Sequence, residues 1–125
     1  MVIMAFEDLK ERILAFNKAR DWDEFHHPKE LVLAMIAEVG ELAECYRWLS
    51  KEQLDLIHQD PEKKKKIEEE IADILIYLIM ISYKSDIDMV KAVNEKLEKN
   101  EKKFPVNVVK GKSTNPISGY KSEIK

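Results

Sequence analysis

The 125-residue chain is one domain's worth of polypeptide, and its 45% apolar and 36% charged residues are the composition of a soluble globular protein rather than a disordered one. Three glycines and four prolines supply too little turn chemistry for a many-stranded β sandwich or barrel, which leaves long helices as the expected elements. With 21 Lys and Arg against 24 Asp and Glu the net charge is −3, so no overall attraction draws the chain to a nucleic acid polymer or an anionic membrane, and any phosphate ligand has to be held locally.

Phe6, Leu9, Ile13 and Phe16 recur at helical spacing with charges between them and predict a first helix over about residues 4–20. The stretch from Asp21 to His27 breaks the pattern. Pro28 suits the first turn of a second helix, reaching about Leu49, because its missing N–H would have no partner there in any case. Ser50 with Gln53 has the spacing of a capping box, and Leu49 with Leu54 that of a hydrophobic staple, so a short helix is expected from there to about Asp60. Asp60-Pro61 repeats the start signal and opens a third helix that runs through four lysines to about Lys84. Ser85 to Asp88 supply a turn with cap-competent side chains, and a fourth helix is expected over about residues 89–103, ending before Pro105. From Pro105 onward Gly, Pro, Ser and Lys mix without a period, which reads as a tail that is mobile unless a partner subunit holds it. The expected architecture is all-α: an antiparallel four-helix bundle with an additional short helix over residues 1–105, and a tail over residues 106–125.

The longest nearly uninterrupted apolar stretch, Ile71 to Ile81, is about half of the ~20 residues a membrane span requires, and is expected to be a buried helix instead. Cys45 stands alone and cannot form an internal disulfide, and MVIMAFEDLKER lacks the basic start and apolar run of a signal peptide. The expected address is reducing and cytoplasmic.

Acid pairs at i,i+3 recur along these helices, mostly on a lysine-rich background where they are solvated surface charge. Two pairs differ in context. Glu38 and Glu41 interrupt LVLAMIAEVGELAE, and Asp73, three residues after Glu70, is the one charge within IADILIYLIMI, whose apolar side chains cover nearly every direction around the axis. A buried carboxylate costs several kcal/mol unless it is protonated, paired or bound to a cation, and no Lys or Arg lies inside either stretch. Spacing of three puts Glu38 with Glu41 on one helix face and Glu70 with Asp73 on one face of the other. If the two helices are neighbours, four carboxylates converge, and all-oxygen ligation selects a hard cation, Mg²⁺ first and Mn²⁺ second. Gly40, between the two glutamates, forgoes about 1 kcal/mol of helix propensity, which fits a close approach by another backbone or a ligand. A ferritin-like di-iron site needs two E-x-x-H motifs; His26, His27 and His58 do not supply them, and Asp55-x-x-His58 is the nearest approach.

This combination resembles the MazG-like all-α nucleoside triphosphate pyrophosphatase superfamily, and within it the dCTP pyrophosphatase branch. The matching stretches are Arg20-Asp-Trp-Asp-Glu-Phe-His-His-Pro28, Glu38-Val-Gly-Glu-Leu-Ala-Glu44 continuing to Trp48, Glu70-Ile-Ala-Asp-Ile-Leu-Ile-Tyr77, and Lys96 and Asn100 ahead of Phe104-Pro105. They occur in order across about residues 4–105, which makes the match far more specific than a pair of acid motifs.

The resemblance implies Mg²⁺-dependent hydrolysis of a (d)NTP to (d)NMP and pyrophosphate, as nucleotide-pool house-cleaning of dCTP-like or modified nucleotides. It makes Glu38, Glu41, Glu70 and Asp73 the metal ligands, places Lys96 and Asn100 near the phosphates or sugar, and sets Trp22, Trp48 and Tyr77 around the nucleotide. Ile13 stands where the dCTP branch carries a histidine near the base. Read from the residues alone, Lys96 is a solvated lysine, Trp48 and Tyr77 are core or interface residues, and Asn100 is a polar amide on the stripe of Val93, Leu97 and Phe104. Glu44 extends the row from Glu41, either behind the ligands or as plain surface. Glu41 is the expected general base for the attacking water. A homodimer or homotetramer is expected, because the third helix is apolar on more sides than one bundle needs and because family members are oligomeric. The competing readings are a related pyrophosphohydrolase acting on dUTP or phosphoribosyl-ATP, and a non-catalytic helical oligomerisation module.

Overall fold

The structure is a computed structural model that describes residues 5–112; among these there is no strand. Six helices follow one another: α1 (Phe6–Ala19), α2 (Pro28–Tyr46), α3 (Lys51–Leu56), α4 (Pro61–Lys84), α5 (Met89–Lys103) and α6 (Val106–Val109), with single 3₁₀ turns at Asp23–Phe25 and Ile57–Gln59. The all-α expectation holds.

The helix starts follow the local chemistry. Ser50 Oγ accepts from Gln53 N at 3.2 Å while Ser50 N donates to Gln53 Oε1 at 2.8 Å, the reciprocal pair of a capping box. Asp60 Oδ1 accepts from Glu62 N and Lys63 N at 3.0 and 3.2 Å, and Asp88 Oδ1 from Lys91 N at 3.0 Å, so orphan amides of α4 and α5 are satisfied. Pro28 and Pro61 occupy first-turn positions. α2 stops at Tyr46, short of the expected Leu49, because Ser50 has to be extended (φ −67°, ψ 166°) to cap α3, and the intervening residues make the turn.

Two helix ends are built alike. After α1, Asp21 N donates to Lys18 O and Trp22 N to Asn17 O, both at 3.1 Å; after α4, Asp86 N donates to Tyr83 O at 3.3 Å and Ile87 N to Ser82 O at 2.9 Å. Both are Schellman closures, and each puts an aspartate, not a glycine, in the left-handed region (Asp21 φ 52°, Asp86 φ 53°). The first turns the chain sharply into Trp22. Past Pro105 the structure departs from the expected irregular tail: Val106–Val109 forms one helical turn, its amides closing onto Pro105 O. The remainder of that tail, residues 113–125, lies outside the described residues.

The chain divides into two compact units between Ile87 and Asp88. In the first, α2 and α4 pack against each other most extensively and α1 packs on α4. The pairing of α2 with α4 is antiparallel, since Glu41 faces Lys66 while Glu38 faces Glu70 and Asp73. Ile13, Leu31, Ile57, Ile67, Ile79 and Met80 are its buried apolar side chains, each contributing roughly 1.5–3 kcal/mol. The apolar stretch of α4 is not buried all round as expected: Ile79 and Met80 are inside, but Ile71 is 53% exposed and Leu75 and Ile76 more than a third. On α2, Leu33 and Ile36 are likewise more than half exposed. In the second unit α5 carries Val90, Val93 and Leu97 about half exposed along one stripe. No helix among the described residues is long and apolar enough to cross a membrane.

Candidate active site

The register of α2 on α4 sets the acids face to face. Glu38 and Glu41 are one turn apart on α2; Lys66, Glu70 and Asp73 occupy successive turns of α4. One oxygen each from Glu38, Glu41 and Glu70 lies within 4.8 Å of the others. Asp73 is half-buried and close enough for its charge to act on Glu38, but stands outside that group of three.

Glu70 is the interior member, with only 3% of its side chain exposed, while Glu41 is 57% exposed. Lys66 Nζ lies 2.7 Å from Glu70 Oε1 and 3.5 Å from Glu41 Oε2. This lysine was not visible as a site residue in the sequence: it belongs to a run of four that reads as solvated surface, and only its four-residue spacing from Glu70 hinted at a pair. The other oxygen, Glu70 Oε2, is buried without a hydrogen-bond partner.

The electrostatics follow from this crowding. Glu38 is raised to about 7, first because its protonated carboxyl hydrogen-bonds Glu70, then through burial and the negative charges of Glu70, Asp73 and Glu41. Glu70 is lowered to about 2 by the hydrogen bonds it receives from Glu38 and Lys66, against the opposing effect of burial. Lys66 is pushed up to about 12, chiefly by its bond to Glu70. Glu70 Oε2 is thus a buried acceptor with no donor, the position where either a proton or a cation belongs. The donor set is all oxygen and contains no histidine, which fits a hard divalent ion and not a di-iron centre.

The other expected residues are placed as follows. Glu44 turns outward and pairs with Arg47, so it is surface and not a support for the acids. Trp22, 46% exposed, sits in the α1–α2 loop, edge-on to Phe16 at 5.9 Å and to His26 at 6.5 Å between ring centroids. Arg20 covers the Phe16 ring at 3.6 Å. Phe16 and Ile13 also line an apolar cleft of about 280 Å³ with Leu9, Arg12, Asn17 and Ile76. Lys84 ties that loop to the end of α4, its Nζ 3.0 Å from Asp23 Oδ2 and 2.9 Å from Asp23 O. His58 is engaged by the Tyr46 hydroxyl at 2.9 Å, an ordinary structural pair. Trp48, 75% exposed, carries the Arg47 guanidinium over its ring at 4.2 Å, and Tyr77 is half-buried one turn after Asp73. Lys96 and Asn100 lie on α5, one turn apart, the first exposed and the second half-buried. Beside Gly40 nothing among the described residues lies within 4 Å of where a Cβ would be, so none of their backbone makes the close approach its presence implied.

A MazG-like family model matches residues 33–115, which include the acids of both helices. The chain belongs to the MazG-like family. Its relatives include dCTP pyrophosphatase 1 of Rattus norvegicus, 35% identical over 105 residues, and the human protein of the same name, 33% identical over 107 residues. The alignments cover 84% and 86% of this MazG-like chain, which spans 62% and 63% of the length of those two relatives. Among solved structures, a pyrophosphatase from Archaeoglobus fulgidus superposes with a TM-score of 0.73 at 36% identity, covering 84% of this chain and 96% of that one. The resemblance read from the four motifs is thus borne out at the level of family and branch.

Proposed function

We propose that this MazG-like protein hydrolyses nucleoside triphosphates to monophosphate and pyrophosphate in a divalent-cation-dependent reaction, with dCTP-like or modified deoxynucleotides as its substrate class. The observation that carries the reading is the donorless buried oxygen of Glu70 inside a three-carboxylate group: an arrangement that costs stability has a purpose if a cation is to be held there. The relatives named dCTP pyrophosphatase 1 and the archaeal pyrophosphatase support the reaction class.

Glu38, Glu41, Glu70 and Asp73 would hold the ion, Mg²⁺ by preference and Mn²⁺ as a substitute. When bound, it supplies the positive charge that a triphosphate needs and makes water more acidic. The protein's own groups do the rest. Glu41 is the ligand-shell acid with an open path to solvent, so it can take the proton of the attacking water and release it to bulk. Glu70 is locked in the interior and fixes the geometry. The attacking oxygen forms a new bond to one phosphorus of the α–β bridge, the bond from that phosphorus to the bridging oxygen breaks, and the other phosphoryl group leaves with the bridging electrons, giving monophosphate and pyrophosphate.

Trp22, Trp48 and Tyr77 offer flat surfaces for a base, and Lys96 and Asn100 polar contacts for phosphate or sugar. One copy cannot bring both tryptophans to the same base. Trp22 precedes α2 and Trp48 follows it, and 19 helical residues separate their neighbourhoods by about 28 Å. A homo-oligomer in which a second copy supplies one of them resolves this, and the half-exposed aliphatic side chains Leu33, Ile36 and Ile71 provide surface for it. The expected state is a dimer or tetramer in the cytoplasm.

The test is a panel of natural and modified (d)NTPs, with dUTP and phosphoribosyl-ATP included, incubated with Mg²⁺ and analysed for monophosphate and pyrophosphate. Turnover of dCTP-like substrates that disappears in folded Glu41→Gln and Asp73→Asn variants supports the reading. No turnover on any member, or turnover indifferent to both substitutions, refutes it.

A further inference from the structure

One charged side chain at the acid group is not accounted for by catalysis. Lys66 reaches from the turn before Glu70 and places its ammonium 2.7 Å from the buried Glu70 Oε1 and 3.5 Å from Glu41 Oε2, contacting two of the carboxylates proposed to hold the metal. Its own side chain is 55% exposed, although its ammonium reaches the buried Glu70. Such a side chain can swing out to water at little cost. A divalent ion cannot share those oxygens with an ammonium at van der Waals distance without mutual repulsion.

We propose that Lys66 is a built-in counter-ion for the empty site, holding Glu41 and Glu70 in register before the metal arrives and competing with the metal for their oxygens. This rests on the reading that the acids bind a divalent cation. Without Lys66, Glu41 and Glu70 would face each other with no ion-pair partner among the described residues. With it, the empty site is pre-formed, and a metal has to displace a monovalent partner to load. The design weakens the site for the ion it holds while protecting the fold that presents it. A lysine suits this role better than an arginine, because its charge is compact, strongly hydrated and carried on a flexible stem, whereas a guanidinium would grip the carboxylates in a planar fork.

The experiment titrates Mg²⁺ and, separately, Mn²⁺ into the full chain by calorimetry, for the unaltered protein, Lys66→Met and Lys66→Arg, and records melting of each in chelator. The methionine keeps the apolar stem and removes the charge. Lys66→Met is expected to bind Mg²⁺ roughly tenfold more tightly, the scale of a charge-assisted hydrogen bond to a buried carboxylate, and to melt several degrees lower when metal-free. Lys66→Arg is expected to restore metal-free stability. Mg²⁺ affinity within twofold of the unaltered chain together with unchanged metal-free melting would overturn the proposal while leaving the metal site standing, and so would weaker binding in Lys66→Met. Failure of the unaltered chain to bind either ion would overturn the metal reading itself and competition with it, a result separable from the first because no affinity exists to compare.

Discussion

Lys84 ties the Trp22 loop to the end of α4, and replacing it measures how much that anchoring is worth. Its Nζ bonds both Asp23 O at 2.9 Å and Asp23 Oδ2 at 3.0 Å, across 61 residues of chain. The carboxylate half of this contact is 54% exposed, so it belongs with surface ion pairs at about 0.2–1 kcal/mol. The carbonyl half comes from an ammonium whose side chain is only 22% exposed, and is worth roughly 1 kcal/mol more. Lys84 also sits in the last turn of α4, where a cation meets the negative end of the helix dipole. Lys84→Met is therefore expected to lower unfolding free energy by about 1–2 kcal/mol, several degrees in melting temperature. Asp23→Asn, which spares the carbonyl contact, should lose less than half of that.

The local consequence is the sharper readout. The amides of Phe25 and His26 donate to Trp22 O and Asp23 O, so their hydrogen exchange should speed up once the loop is free. In a Trp48→Phe background the fluorescence reports Trp22 alone, because the chain has two tryptophans. Its emission should shift to the red, and acrylamide should quench it more strongly. Unchanged exchange at these two amides, with stability within about 0.3 kcal/mol of the parent, would refute the anchoring argument.

The acid group makes the chelated protein's stability depend on pH in two directions. Glu38, raised to about 7, contributes stability that is complete below its unfolded value near 4.5 and lost as pH rises through 7; Glu70, lowered to about 2, contributes stability present above 4.5 and lost as pH falls towards 2. Denaturant titrations in chelator should therefore peak near pH 4.5, and Glu38→Gln should flatten the neutral side of the curve. Gly40→Ala adds a methyl into open space on an exposed helix and should stabilise one copy by about 1 kcal/mol by thermal melting; if turnover falls while stability rises, the space belongs to a ligand or a second copy. Ile71→Glu places a charge on the 53% exposed face of α4 and should shift light-scattering mass towards the monomer with helicity retained. An unchanged mass would take that face out of the assembly.

What could be read from the sequence was what local chemistry decides. Pro28, Pro61, Asp60, Asp88 and the Ser50–Gln53 pair announce helix starts because the first-turn amides need partners within three residues, and those partners are written next to them. The acids were legible for a related reason: a carboxylate in an apolar run is anomalous whatever it packs against. Lys66 was not, because its meeting with Glu41 depends on the register of two helices separated by a long connection, and among four lysines nothing local singles it out. The all-round burial expected for α4 failed in the same way. Periodicity tells that a face is apolar, but not whether this chain or another copy covers it. Val106–Val109 was missed because a single turn of three valines and an asparagine is too short to have a period to detect.

The placement of the acids along α4 explains how a fold tolerates them. Ile67 is buried one turn before Glu70, and Ile79 and Met80 are buried beyond Asp73, so the charged layer lies between two apolar ones on the same helix. Those layers fix the rotation of α4 against α2. A slip of one residue turns a helix by about 100°, which would carry Ile67 and Glu70 out of the interface together. The core thus selects the single register in which Glu38 and Glu41 meet Glu70, at an electrostatic cost that Lys66 and a shared proton reduce but do not remove. Packing and repulsion act on the same pair of helices, and the residual strain is relieved by whatever cation enters. On this argument, cation affinity is set as much by the aliphatic residues that forbid the helices to part as by the carboxylates that touch the ion.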